Sequence, residues 1–131
     1  MEALKETSMD ICYAVKAEKY YRLIGGKDVD GIKEFIHSNV EFYGPLAALK
    51  GKQAVIEATH NFMKAFNSLK IRAKFGEGNQ AVVIYDVDIP GVAKNFPGVS
   101  LLTFQEDLII KIELFYDGSP FSQKNKEEIF S

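Results

Sequence analysis

Asp86, Asp88, Glu113 and Asp117 are the side chains with the clearest potential for chemistry. They are carboxylates at matching parity within two stretches of alternating apolar residues, VVIYDVDI and IIKIELFYD. In an extended chain successive side chains point to opposite faces, so each pair looks to one side of its strand. Carboxylates that share an apolar pocket cannot all ionise cheaply, and at least one pKa is then expected to rise toward neutrality. A carboxyl tuned in this way trades protons at pH 7, which is general acid/base chemistry. Tyr20 is the companion candidate, a phenol able to polarise a substrate oxygen. The same tyrosine also reads as a core residue with a satisfied hydroxyl.

The alternation by itself supports a plainer assignment of faces. Val83, Tyr85, Val87 and Ile89 oppose Asp86 and Asp88, while Ile110, Ile112, Leu114 and Tyr116 oppose Lys111, Glu113 and Asp117, which turns the acids to water. The acidic face also carries Val82, Ile84 and Phe115, so both faces read as covered. A helical layer is the expected cover of one face and a second subunit that of the other.

The elements that must position these residues divide into a helical half and a β half. From Thr7 to Ile24, Tyr13, Ala17, Tyr20 and Ile24 recur at helical spacing, with Thr7 and Asp10 as a cap and Gly25-Gly26 as the stop. Asp28 caps a short second helix whose stripe is Val29, Ile32, Phe35 and Ile36. Val40 to Tyr43 reads as a strand ending at Gly44-Pro45, and Gly51 permits a sharp return. A third helix is expected from Gln53 to Ser68 on Ala54, Val55, Ala58, Phe62 and Phe66, with His60 about 200° around the axis from Ala58 and Phe62. After Ser68 the period falls to two. Leu69 to Phe75, Gln80 to Ile89, Val99 to Phe104 and Leu108 to Tyr116 read as strands. Their turns fall at Gly76-Glu77-Gly78-Asn79 and Gln105-Glu106-Asp107. Gly91 to Gly98 is longer than a tight hairpin needs and reads as a loop over a pocket mouth.

Several functional classes lose support. With 47% hydrophobic and 26% charged residues over 131 positions, the chain is neither disordered nor low in complexity and suits one core. Sixteen basic against eighteen acidic residues give a net charge of -2, too weak a field to gather nucleic acid. Lys70, Arg72 and Lys74 read as a solvated strand face. The lone Cys12 makes no internal disulfide and suits a reducing compartment. His37 and His60 have no ligands at metal spacing, and no phosphate-binding glycine motif or nucleophile elbow occurs. No stretch approaches the ~18 apolar residues of a membrane-spanning helix, and a cytoplasmic location is expected.

The run YYRLIGGKDVDGIKEFIHSNVEFYGPLAALKGKQAVIEATHNF, followed by the meander ending IIKIELFYD, resembles the nuclear transport factor 2-like superfamily. The likeness is strongest to SnoaL-like polyketide cyclases and ketosteroid isomerases, and it spans most of residues 10–118. This superfamily holds enzymes, binding modules and transport adaptors, so the resemblance speaks to fold more than to chemistry. It implies a sheet curled into a cone closed by three helices, an apolar pocket on the concave face and a dimer through the convex face. It also reverses the plain assignment, placing the acids in the pocket.

Residue by residue, the resemblance implies the following. Tyr20 matches the first-helix tyrosine that donates to the developing oxyanion in ketosteroid isomerases. The isomerase's general base falls on Phe42 and its second donor on Ser100, which removes support for steroid isomerisation by that mechanism. Asp117 matches the last-strand acid/base aspartate of SnoaL-like cyclases, although the histidine partner's place is taken near Thr103. Asp88 resembles the fourth-strand aspartate of limonene epoxide hydrolase-like members, with Asp86 standing where the arginine belongs.

The expected architecture is therefore α+β, a cone-shaped curved antiparallel sheet of about six strands, two of them short, closed by three helices in the N-terminal half. One SnoaL-like domain spans residues 1–131, with 119–131 as a polar tail. Asp117, Asp88 and Tyr20 are the catalytic candidates. Phe42, Phe62, Phe66, Ile84, Asp86, Ser100, Leu102, Phe104, Glu113 and Phe115 are the expected pocket, holding a small apolar or aromatic ligand without metal or cofactor. Ile110, Ile112, Leu114 and Tyr116 are the expected homodimer face. The expected activity is cofactor-independent isomerisation, cyclisation or epoxide hydrolysis, and the alternative is a non-catalytic binding or assembly module on the same fold.

Overall fold

The computed structural model describes residues 2–119, with side chains from Tyr13 onward. Helix α1 (Glu2–Gly25) is followed by α2 (Val29–Lys33), β1 (Ile36–Tyr43), β2 (Ala48–Lys50) and α3 (Lys52–Ala65). Strands β3 (Ser68–Glu77), β4 (Gln80–Ile89), β5 (Ala93–Gln105) and β6 (Leu108–Phe115) follow. The six strands form one sheet in the order β2-β1-β6-β5-β4-β3. Every neighbouring pair is antiparallel except β1 with β6, which run parallel.

Local chemistry explains most element ends. Helix α1 begins before Thr7, so Thr7 is no cap. It stops not through left-handed glycines but at Lys27, whose φ of 60° turns the chain. That strained residue is tied down because its Nζ donates to Phe66 O at 2.7 Å and lies 5.0 Å from the Phe66 ring centre. Asp28 does cap α2, accepting from the Gly31 N–H at 2.9 Å. The second helix is shorter than its apolar stripe suggests, and Ile36 opens β1 instead. Phe35 O accepts from Ile109 N at 2.8 Å, so pairing with the sheet takes the chain out of the helix. Gly51, at φ 94°, makes the sharp return into α3.

The expected loop over residues 91–98 is mostly strand. Only Pro90, Gly91 and Val92 turn, and β5 then pairs Phe96 with Val87, Pro97 with Asp86 and Gly98 with Tyr85. Pro97 is tolerated because it lies beyond the last β5–β6 pair, Val99 with Phe115, where no ladder bond is asked of it on that side. The β5–β6 turn is Glu106-Asp107, with φ of 56° and 64°, the left-handed pair that suits a two-residue hairpin. The register slips once in each of β1–β6, β3–β4, β4–β5 and β5–β6. Such irregularities bend strands, and the sheet is curved and unclosed.

The helices cover one face of the sheet, α1 lying over β3 and β4 and α3 over β1 and β2. The core fills the space between, with Ala17, Tyr20, Ile24, Ile32 and Val55 from the helical side and Val40, Val83, Leu102, Ile109 and Ile112 from the sheet all nearly inaccessible. Among the described residues no helix is long and apolar enough to cross a membrane.

Candidate functional site

Between the sheet and helices α1 and α3 lies an open-mouthed cavity of about 70 Å³. Its walls come from every layer. Tyr20, Tyr21 and Ile24 descend from α1, Ala58, Thr59 and Phe62 from α3, and Phe42 rises from β1. The floor is the inner face of the sheet: Tyr85, Val87 and Ile89 of β4, Phe96 and Gly98 of β5, Ile112 and Leu114 of β6, with Tyr116 just beyond. No charged side chain is among them.

The polar atoms that do reach this space are hydroxyls. Ser100, wholly buried, joins the Tyr21 hydroxyl at 2.5 Å and the Tyr85 hydroxyl at 3.0 Å. The Tyr21 and Tyr85 rings stack with centres 4.8 Å apart, and Tyr20 meets Tyr21 edge-on at 5.3 Å. Tyr85 lies flat because its cross-strand neighbour is Gly98: a Cβ there would stand 2.8 Å from Tyr85 Cε2. The Thr59 hydroxyl stands beside the Tyr20 phenol and offsets part of the rise that burial gives its pKa. The Thr59 hydroxyl donates to Val55 O at 2.7 Å. Burial raises the pKa of Tyr20, Tyr21 and Tyr85 above the ordinary tyrosine value, so these phenols stay protonated through neutral pH. Burial alone pushes Tyr116 up to about 12.

The carboxylates lie elsewhere. Asp86 and Asp88 alternate with Tyr85, Val87 and Ile89 and therefore occupy the outer face of the sheet, opposite the cavity. Asp86 pairs with Arg72 at 3.5 Å, and Asp88 accepts from the Asn67 side chain at 3.4 Å. Glu113, next to Ile112 and Leu114 on β6, is on that outer face too, 3.7 Å from Lys111. Asp117 is exposed past the end of β6. The Ser119 N–H donates to its carboxylate at 3.0 Å and holds its pKa below the ordinary aspartate value. The four acids do not share an apolar pocket, and the plain reading of the alternation describes Asp86, Asp88 and Glu113 better than the implied reversal.

Of the other expected pocket residues, Tyr20, Phe42 and Phe62 line the cavity, and Ser100 closes it from beneath. Phe66 is buried behind Phe62, ring centres 4.9 Å apart. Leu102 and Phe104 are on the inner face but fill the core, Phe104 stacked on Tyr13 at 4.6 Å. Ile84 and Phe115 are on the outer face, paired there with Val99. The dimer set is displaced in the opposite sense, for Ile112, Leu114 and Tyr116 look into the cavity and only Ile110 does not. Tyr21, Thr59, Tyr85, Phe96 and Gly98 went unnoticed as a group. The alternation of Val83, Tyr85, Val87 and Ile89 was the available signal, since it marks the inner face directly. Among the described residues, no cluster of three or more histidine, cysteine or carboxylate side chains stands ready to hold a metal ion.

A family model described as the SnoaL-like domain matches residues 17–112, from the middle of α1 to the cavity-lining Ile112. The chain belongs to the SnoaL-like domain family. Solved structures agree on the fold. A protein of Kribbella flavida DSM 17836 superposes with a TM-score of 0.78 at 20% identity, over 87% of this chain and 93% of its own. A steroid delta-isomerase of Pseudomonas aeruginosa gives 0.69 at 16% identity, covering 89% and 85%. A SnoaL-like protein of Burkholderia thailandensis e264 gives 0.69 at 16%, covering 82% and 97%. No curated protein matches the chain. At these identities the neighbours establish a shared nuclear transport factor 2-like fold, and the activity named for one of them stays with that protein. The SnoaL-like assignment accounts for the curved sheet, the helical cover and the position of the cavity.

Proposed function

We propose that this SnoaL-like chain is a cytoplasmic small-molecule-binding protein that holds a mostly apolar ligand in the cavity without turning it over. The observation that carries this reading is the composition of the walls, aromatic and aliphatic side chains with a few hydroxyls and no carboxylate, histidine, lysine or arginine. Acid/base isomerisation, cyclisation or epoxide hydrolysis needs a proton carrier within reach of the ligand. Asp88 stands on the far side of the sheet, and Asp117 is exposed beyond its end with its carboxyl held in the charged form. The phenols of Tyr20, Tyr21 and Tyr85, with their pKa values raised by burial, make poor bases and poor acids at neutral pH.

The direct test is saturable binding of the neutral fluorophore N-phenyl-1-naphthylamine. Wild type is expected to enhance its emission with one site per chain, and Leu114→Trp, which fills the cavity from the floor, is expected to abolish the effect while leaving circular dichroism unchanged. Equal enhancement by both proteins would remove the cavity from consideration.

The same proposal includes a homodimer through the outer sheet face. Phe75 and Phe115 are 61% and 54% exposed there, beside the half-covered Val82, Ile84, Val99 and Leu101. Exposed aromatics on one contiguous face are what an association surface provides.

A further inference from the structure

The sheet ends in two unequal edges. On one side β2 is only three residues long, whereas on the other β3 runs for ten residues with no strand beyond it among the described residues. An open edge of that length presents a row of backbone N–H and C=O groups to any extended chain that can lie beside it. Leu69, Lys70 and Ile71 line an open groove of about 320 Å³ whose other wall is Tyr21, Arg22 and Gly25 of α1. Consecutive strand residues point to opposite faces, so a groove that touches all three runs along the edge itself and reaches the backbone. Leu69 and Ile71 lie across from Val87 and Tyr85 and share the inner face, while Lys70 lies across from Asp86 on the outer face. The register slips at Arg72, which stays on the outer face 3.5 Å from Asp86 and turns Lys74 inward to Glu18 at 3.4 Å.

We infer that, independently of what the cavity holds, this edge docks an extended acidic segment of another protein, which adds a strand beside residues 68–71. Charge favours that partner. Arg22, Lys70, Arg72 and Lys74 border the edge, against the carboxylates of Glu18, Asp86 and, at its end, Asp88. Glu18 is shared between Lys74 and Arg22, the latter at 3.1 Å, and Asp86 is taken by Arg72, so Lys70 is left with no ion pair among the described residues. A second copy laid along the same edge sets basic side chains against basic side chains, which destabilises a strand pair. A strand with acids at alternate positions instead brings carboxylates beside Lys70 and Arg72 on the outer face. Its intervening apolar side chains then enter the groove over Leu69, Ile71 and Tyr21. The irregularity at Arg72 interrupts the edge, which confines the pairing to the stretch before it.

Amide NMR of the intact chain, titrated with a capped peptide of alternating glutamate and valine, reads the site residue by residue. Shifts are expected at residues 68–71 and at Arg22 and Gly25. The counterpart with lysine in place of glutamate is expected to bind about tenfold more weakly, and Lys70→Glu to weaken the acidic peptide by about as much. A glutamate–valine peptide N-methylated at alternate residues keeps its charge but cannot pair as a strand, and it is expected not to bind. The three peptides are compared on wild type, so a poorly folding variant leaves the inference open to refutation. Equal binding of the N-methylated peptide would overturn strand addition, and equal binding of the lysine peptide would overturn the acidic partner. Shifts centred on Phe75 and Phe115 would move the contact to the outer face and overturn the edge. No shift with any peptide would overturn the whole inference while leaving the cavity reading untouched.

Discussion

The ring of Tyr85 lies across Gly98, its partner on the neighbouring strand, with no room between them for a methyl group: a Cβ on Gly98 would come within 2.8 Å of Tyr85 Cε2 and 3.2 Å of its hydroxyl oxygen. That approach holds the phenol against Ser100 on the cavity floor. A glycine in the middle of a strand is thus a condition of the site's shape.

Gly98→Ala is accordingly predicted to lift the Tyr85 ring and to cost about 1–3 kcal/mol of stability. Urea unfolding reads the cost directly. A loss below about 0.5 kcal/mol would mean that the ring yields freely and that the glycine is incidental.

Ser100→Ala is predicted to be more damaging than Tyr85→Phe, although both remove a single oxygen. The first takes away the partner of two buried phenols, at about 1–3 kcal/mol, whereas the second leaves the Tyr21–Ser100 bond in place, at about 0.5–1.5 kcal/mol. The reverse order in paired denaturation curves would contradict this hydroxyl network.

Alkaline pH is predicted to weaken the fold through its tyrosines. An unfolded tyrosine ionises near about pH 10, while burial pushes Tyr116 up to about 12 and raises Tyr21 and Tyr85 as well. Between those values the folded chain holds protons that the unfolded chain has lost, so stability falls as pH rises. Below about pH 10 this contribution is fully present. Unfolding free energies measured on either side of that pH, followed together with tyrosinate absorbance, test the direction.

Asp117→Asn is predicted to leave naphthylamine binding within about twofold of wild type, since the carboxylate serves the turn at Ser119 and does not line the cavity. Carbon NMR of the side-chain carboxyls should find Asp117 titrating below the ordinary aspartate range. A binding loss of tenfold or more would restore it to the site.

Phe115→Asp is predicted to convert a sedimenting dimer into a monomer with unchanged secondary structure, because Phe115 stands exposed on the outer face. Leu114→Asp is the wrong probe for the interface. It drives a charge into the cavity floor and should destabilise the chain instead.

What was legible in the sequence followed from strong local rules. The bounds of β4 could be read directly, because strict alternation from Gln80 to Ile89 runs into Pro90. The α+β order and the Asp28 cap were equally plain. What escaped depended on partners distant in sequence. Ile36 continues a helical stripe but joins the sheet, since Ile109 supplies the hydrogen bond that captures Phe35. Ser100 is a neutral letter in a strand until Tyr21 and Tyr85 are seen to converge on it from α1 and β4. The carboxylates misled because Val82 and Ile84 make the outer face apolar too. Alternation then marked two faces without saying which one the helices cover.

The parallel pairing of β1 with β6 has a consequence for the order of assembly. β6 sits between β1 and β5, so the last of the described strands to be made on the ribosome is the one that joins the β1–β2 hairpin to the β3–β5 meander. Until residues 108–115 emerge, the N-terminal half has no sheet to enter, and closing that long span is an entropic toll collected late in synthesis. A nascent chain stalled before Leu108 is expected to keep its β1–β2 edge open to chaperones.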